Sequence, residues 1–335
     1  MKTITPEIIH NKKVIIRIDT DVPIENGEIK DITRLQAVLP TLQLLIDNCA
    51  KITIIGHLGR PKGKVIPDLS LFPIANKLSE LLNTDIQLKP ITSMPQILDT
   101  KISMYENIRF DPREEECSEE FAKELASDHD LFIFEAFAVA HRDATSTTTI
   151  AKILPSYAGL RVAKEVEILS QVISSPKHPF LAIIGGAKIE TKLPTVKNLQ
   201  SIADNLFVGG RLPHEIKDNG ITFPQHVHIA SMNESGLDID RQSTQILTQL
   251  VNQANYIVWN GPLGKFEDPT AQAGTKALCE ALRDSNAFIV IGGGETINAL
   301  TQFKAENTVN FISVGGGAML DYLSGKQLPG LQALK

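Results

Sequence analysis

Six basic side chains, Arg17, Arg34, His57, Arg60, Arg109 and Arg142, are spread over the first half of the chain. Several of them follow closely on short apolar runs. In an open parallel sheet that position faces the ligand, outside the carboxyl ends of the strands. A guanidinium fork grips a phosphate or carboxylate in two places, so residues of this kind could converge on one small anion. Any one of the arginines taken alone is accounted for by a surface salt bridge, and His57 alone by a loop hydrogen bond. Their shared placement carries the functional reading.

A second kind of signal lies in the other half. Phe288 to Ile291 is a short apolar run followed by Gly292, Gly293 and Gly294, after which Glu295 and Thr296 open a segment with helical spacing at Ile297, Leu300 and Phe303. Phe311 to Val314 runs into Gly315, Gly316 and Gly317, and Phe180 to Ile184 into Gly185 and Gly186. A strand, a glycine turn and a helix N-terminus together present bare N–H groups and the positive end of a helix dipole to a phosphate. Tight packing of strand against helix also calls for glycine. The repetition favours a phosphate-rich ligand.

The elements that must hold these residues alternate. Strands are predicted at Val14 to Ile18, Ile52 to Ile55, Ile102 to Tyr105 and Leu131 to Phe134, with helices over Arg34 to Asn48, around Ile74 to Leu82 and at Phe121 to Leu125. Pro40 implies a kink or a late start in the first of these helices. Gly159 to Ile173 reads as one long helix joining the halves. The second half repeats the pattern, with strands at Phe180 to Ile184, Leu206 to Val208, Val227 to Ala230, Tyr256 to Trp259, Phe288 to Ile291 and Phe311 to Val314. The predicted fold class is α/β, as two doubly wound, mainly parallel-sheet domains. Neither G-x-G-x-x-G nor G-x-x-x-x-G-K-[ST] occurs.

A chain of 335 residues with 42% hydrophobic and 21% charged content fits two ordinary globular domains. The formal net charge of −6 argues against general binding to nucleic acid or anionic membrane. No apolar run approaches the length of a membrane span. Cys49, Cys117 and Cys279 are too far apart for a metal knuckle or a disulfide framework, so reduced thiols and a cytoplasmic location are expected.

Taken in order, the motifs resemble phosphoglycerate kinase nearly end to end. They are RIDTDVP (Arg17 to Pro23), the lone Arg34, GHLGRP (Gly56 to Pro61), ENIRF (Glu106 to Phe110), AHR (Ala140 to Arg142), GGAKIETK (Gly185 to Lys192), VWNGPLGKFE (Val258 to Glu267), IGGGET (Ile291 to Thr296), SVGGGA (Ser313 to Ala318) and GKQLPG (Gly325 to Gly330). The resemblance implies a 3-phosphoglycerate-binding domain over 1–158, a hinge helix over 159–175, a nucleotide-binding domain over 176–318 and a tail, 319–335, that returns to the first domain. It implies that the two domains face each other across a cleft and close to exclude water.

By the same resemblance Asp19, Thr20, Asp21, Arg34, His57, Leu58, Gly59, Arg60, Arg109 and Arg142 bind the substrate. Gly186, Lys188, Lys192, Asp240, Asn260, Pro262, Glu267, Gly293, Gly294, Glu295 and Thr296 bind ATP or ADP, Glu295 contacts Mg²⁺, and Arg34 and Lys192 are catalytic. A monomer is expected. The attacking group is a carboxylate, already ionised at neutral pH, so no general base is required.

Several positions depart from the family pattern. Glu295 stands where aspartate is usual, Asp21 where asparagine is, and Asp240 where glycine is. Arg211 interrupts the run begun by Gly209 and Gly210, and Val314 replaces a threonine. The chain is several dozen residues short, chiefly between Lys192 and Glu267. These departures motivate two competing expectations, a non-catalytic binding protein on the same scaffold and a kinase for another small carboxylate.

Overall fold

The computed structural model describes residues 1–49, 51–93 and 100–335. The chain divides into two compact units, Met1–Val166 with Gln327–Lys335, and Glu167–Lys326. Each has its own apolar core.

In the first unit the main sheet holds β1 (Lys13–Ile18), β2 (Lys51–Ile55), β3 (Gln87–Lys89), β4 (Ile102–Tyr105), β5 (Leu131–Glu135) and β6 (Ser156–Ala158), and Ile24–Glu25 with Glu28–Ile29 makes a separate antiparallel pair. The main sheet is parallel, in the order β3-β4-β2-β1-β5-β6. Val14, Ile15, Ile16 and Ile18 of the central strand are all fully buried, as expected where helices cover both faces. The edge strands β3 and β6 are absent from the sequence-based expectation. Each has three residues of mostly intermediate burial, too few to reveal a period.

Helices α1 (Thr33–Asn48), α2 (Phe72–Leu82) and α3 (Glu119–Ala126) supply the crossovers. Pro40 does not delay α1, which runs straight through it. Leu35, Val38, Leu42 and Leu45 bury one face of this helix, each worth roughly 1.5–3 kcal/mol. An interior proline costs ~3 kcal/mol, so the buried face wins. α3 starts where Ser118 accepts a hydrogen bond from the Phe121 N–H, with Glu119 and Glu120 in the first turn.

The long helix α4 (Leu160–Ser174) carries the chain onward. Its start is gripped by a buried carboxylate. Glu135, at the end of β5, accepts from the N–H groups of Arg161 and Val162 at 2.9 Å each. The Thr41 hydroxyl donates to Glu135 and accepts from the Leu160 N–H at 3.0 Å. A side chain at Gly159 would overlap this carboxylate. Burial pushes the Glu135 carboxyl up to about 7.

The second unit holds β7 (Phe180–Ile184), β8 (Asn205–Val208), β9 (Val227–Ile229), β10 (Tyr256–Asn260), β11 (Phe288–Gly292) and β12 (Phe311–Ser313), a parallel sheet in the order β9-β8-β7-β10-β11-β12. The helices are α5 (Ile189–Leu199), α6 (Leu212–Asp218), α7 (Arg241–Gln253), α8 (Ala273–Asp284), α9 (Gly294–Gln302) and α10 (Gly316–Leu323). The fully buried Trp259 anchors the core, its indole N–H donating to the Gly261 carbonyl at 2.7 Å. The C-terminal segment, α11 (Pro329–Gln332), belongs to the first unit, where the Gly330 N–H donates to the Ala140 carbonyl at 2.9 Å. Among the described residues, no helix is long and apolar enough to cross a membrane.

Candidate functional site

Each unit carries a pocket built at the carboxyl ends of its strands. In the first, register brings the loops together: Arg17 of β1 lies beside Ile55 of β2, and Ile18 beside Glu135 of β5. Residues that follow these strands in sequence therefore become neighbours in space. Asp19 and Asp21 come after β1, His57 to Arg60 after β2, Arg109 after β4 and Arg142 after β5, while Arg34 sits in the first turn of α1.

A cavity of about 160 Å³ is lined by Asp19, Asp21, Arg34, His57, Gly59, Arg60, Arg109 and Arg142, with Ala138, Val139 and His141 completing it. Eight of the ten expected substrate residues thus share one wall. The other two support it from behind. Thr20 donates to the His57 carbonyl at 2.6 Å, and the Leu58 carbonyl accepts from the Asn107 amide at 2.7 Å. Arg109 donates to the Gly59 carbonyl at 2.8 Å, Arg34 to the Asp21 carbonyl at 2.6 Å, and the Asp21 carboxylate accepts from the Gly59 N–H at 3.0 Å. The guanidinium groups of Arg34 and Arg109 are held in place before any ligand arrives.

The electrostatics match a concentrated positive patch. Burial, then the fields of Arg17, Arg109, Arg142 and Arg34, holds His57 well below its usual value and therefore neutral. Burial lowers Arg109, and Arg142 lowers it further. Arg17, buried behind the pocket, is brought down to about 10 by desolvation, opposed by the charge of Glu114. Glu114 accepts from the Ser146 N–H at 2.9 Å and the Ser146 hydroxyl at 2.6 Å. Asp19 is raised by burial, against the pull of Arg34 at 3.4 Å.

Sequence reading missed Asn107, His141 and Glu114. Asn107 lies within ENIRF and His141 within AHR, so their motifs could have pointed to them. Glu114 opens a run of identical residues, Glu114 to Glu116, and only packing singles it out as the buried one.

The second pocket is larger, about 600 Å³, and has a different lining: Gly186, Ala187, Gly210, Arg211, His214, Ser235, Gly236, Leu237, Pro262, Gly264, Lys265, Glu267 and Glu295. Gly186, Pro262, Glu267 and Glu295 were expected there. His214, Ser235 and Lys265 were not; Lys265 lies within VWNGPLGKFE, so its motif could have pointed to it, whereas no quoted motif holds His214 or Ser235.

Lys192, on α5, donates to the Asn260 side-chain oxygen, and its Nζ lies 3.8 Å from where a side chain at Gly186 would begin. Burial lowers this amine to about 8, opposed by Glu295. The Asn260 amide nitrogen is buried without a partner and stands 3.4 Å from where a side chain at Gly293 would begin. Thr296 ties the turn together, accepting from the Gly261 N–H at 2.8 Å and donating to the Gly292 carbonyl at 2.9 Å. Lys192, Asn260, Gly293 and Thr296 thus form one cluster beside Gly186.

Of the eleven expected nucleotide residues, seven lie outside this lining: Lys192, Asn260, Gly293 and Thr296 form the cluster beside it, Gly294 opens α9, and Asp240 and Lys188 belong to neither. Asp240 is the N-cap of α7, its carboxylate taken by the Ser243 N–H at 2.7 Å. Lys188 precedes α5 outside the lining.

The glycines divide into two groups. A side chain at Gly185 would overlap the Pro262 carbonyl. One at Gly210 would come within 2.5 Å of the Gly186 carbonyl oxygen, and one at Gly316 within 2.7 Å of the Gly293 Cα. Those positions are glycine because backbone meets backbone. Gly186 and Gly293, with φ of +101° and +98°, and Gly294, with nothing within 4 Å, leave their space open. Open glycines, the first N–H groups of α9, an unpartnered amide donor and a half-buried lysine fit a polyphosphate. Among the described residues no group of His, Cys, Asp or Glu side chains could hold a metal ion alone. A cation here would be shared between Glu295 and phosphate oxygens, the usual arrangement for Mg²⁺.

A parallel sheet in each unit, one with a pocket of fixed guanidinium groups and the other with a polyphosphate cradle, defines a phosphate-handling α/β protein. The family described as phosphoglycerate kinase matches residues 4–218 and 215–326. The phosphoglycerate kinase of Coxiella burnetii is 32% identical with a TM-score of 0.84, over 97% of this chain and 96% of that one. The phosphoglycerate kinase of Pyrococcus horikoshii OT3 is 28% identical with a TM-score of 0.86, over 100% of this chain and 98% of that one. The chain belongs to the phosphoglycerate kinase family.

Proposed function

We propose that this chain transfers a phosphoryl group reversibly between ATP and the carboxylate of 3-phosphoglycerate, yielding ADP and 1,3-bisphosphoglycerate, as a monomer in the cytoplasm serving glycolysis. Residues 1–158 hold the phosphoglycerate and 176–318 the nucleotide, with 159–175 as the connecting helix and 319–335 as the returning tail. The observation that carries this reading is the half-buried Lys192, held by Asn260 beside Gly186 at the pocket of the second unit.

In the forward step a carboxylate oxygen bonds to the γ-phosphorus as the bond from that phosphorus to the β,γ-bridging oxygen breaks. No proton is transferred. Arg60, Arg109, Arg142 and His57 grip the substrate's phosphate, and Arg34 neutralises oxygens at the acceptor. Lys192 meets the charge on the nucleotide's terminal phosphates. With a pKa of about 8 it is mostly protonated at neutral pH, and bound phosphate favours that form further. Glu267 serves the ribose. Glu295 would hold Mg²⁺ at the nucleotide's phosphates, where the ion would supply additional charge neutralisation.

The test is turnover of the purified protein with 3-phosphoglycerate, ATP and Mg²⁺, read by coupling to the acyl phosphate product. We expect Mg²⁺-dependent turnover that falls about 100-fold or more in Arg34→Ala, with Tm held within a few degrees. Folded protein that turns over with no nucleoside triphosphate would sink the proposal.

A further inference from the structure

Arg17 stands behind the basic pocket and not in its wall: it is 1% exposed and absent from the lining. Its Nη2 lies 2.8 Å from Nδ1 of His57, and its Nη1 donates to the Ile18 carbonyl at 3.3 Å. A guanidinium has donors only. Nδ1 of His57 must therefore accept, and the single proton of a neutral ring must sit on Nε2. That nitrogen faces Asp21, whose carboxylate is 4.0 Å away.

The surroundings keep the ring in this state. His57 is 2% exposed. The titratable groups about it are the cations Arg17, Arg34, Arg60, Arg109 and Arg142, the carboxylates Asp19 and Asp21, and His141. A protonated ring would place a donor against a donor at Arg17.

We propose that Arg17 is a positioning residue that fixes His57 as the Nε2–H tautomer, giving the pocket a neutral donor whose charge does not change with pH. The consequence for binding rests on the functional reading above; the tautomer does not. A neutral N–H serves a fully ionised phosphate or carboxylate oxygen and adds no further cation to an already positive wall. It also removes the titration that histidine would otherwise bring between pH 6 and 8.

The direct test is histidine nitrogen NMR on the ligand-free wild-type protein from about pH 6 to 8, with the His57 signals assigned by their loss in His57→Gln. The expected result is an unprotonated Nδ1 and a protonated Nε2 throughout. A charged ring or an Nδ1–H tautomer overturns the proposal, whatever the variants do. The second arm is calorimetry with 3-phosphoglycerate. Arg17→Gln, whose amide can accept as well as donate, should give mixed tautomers and about tenfold weaker binding that varies over this pH range. Arg17→Lys restores a donor-only group and should recover the tautomer and much of the affinity. A folded Arg17→Gln with the wild-type tautomer and pH-independent affinity overturns the positioning role. Wild-type protein that shows the tautomer but binds no 3-phosphoglycerate counts against the functional reading and leaves the assignment standing.

Discussion

In the first unit the anion site is made of side chains; in the second it is made largely of their absence. Arg34, Arg60, Arg109 and Arg142 project into a cavity of about 160 Å³, and backbone carbonyls fix Arg34 and Arg109 there. The pocket of about 600 Å³ sits beside open glycines, a helix N-terminus and one half-buried lysine. A small rigid anion can be met by charges placed in advance. A long ligand with a polyphosphate end needs the backbone itself to come close, and only glycine permits that. Sequence patterns differ accordingly, with scattered arginines in one half and clustered glycines in the other.

The largest effect that would break this contrast concerns Lys192. If the second site depends on a single cation, Lys192→Met should lower kcat by about 100- to 1000-fold without loss of Tm, because it removes a half-buried charge. A loss of only a few-fold would mean that backbone donors carry the charge unaided.

The units should also respond to pH with opposite signs. Lys192 is lowered to about 8 by folding. Above that pH the unfolded chain binds the extra proton, so ligand-free stability should rise between about pH 8 and 10.5, by at most about 3 kcal/mol. Glu135 is raised to about 7. The folded chain then binds the extra proton between about pH 4.5 and 7, and stability should fall as pH rises through that window, by a similar upper limit. Urea unfolding of Lys192→Met and Glu135→Gln should flatten the two slopes separately. Unchanged slopes in both variants would assign the pH dependence to other groups.

The smallest effects separate packing glycines from ligand glycines. Gly185→Ala forces a methyl into the Pro262 carbonyl and should cost roughly 1–3 kcal/mol. Gly294→Ala, with open space and a helical position, should change stability by less than about 1 kcal/mol, while weakening ATP binding in calorimetry. Equal stability losses would erase the distinction.

Most of the parallel alternation was legible because buried strands such as Phe180–Ile184 are continuous apolar runs bounded by glycine. The edge strands β3 and β6 were not, since three residues carry no period. Eight of the expected substrate residues line one cavity because seven of them follow strands of the same sheet and Arg34 opens the first crossover helix. Asp240 resisted, because a carboxylate before a helix serves equally as a cap and as a ligand. His214 and Ser235 lie in the compressed region, where no local pattern distinguishes a lining residue from a solvated one.

The first unit is interrupted: residues 327–335 belong with residues 1–166, and residues 167–326 lie between them in sequence. On the ribosome, the second unit is therefore synthesised in full before the first has all its parts. Until then Ala140 lacks the Gly330 N–H it accepts from, and the surface that α11 covers stays open. Order of synthesis and order of completion are thus reversed, and the basic pocket belongs to the unit that is finished last.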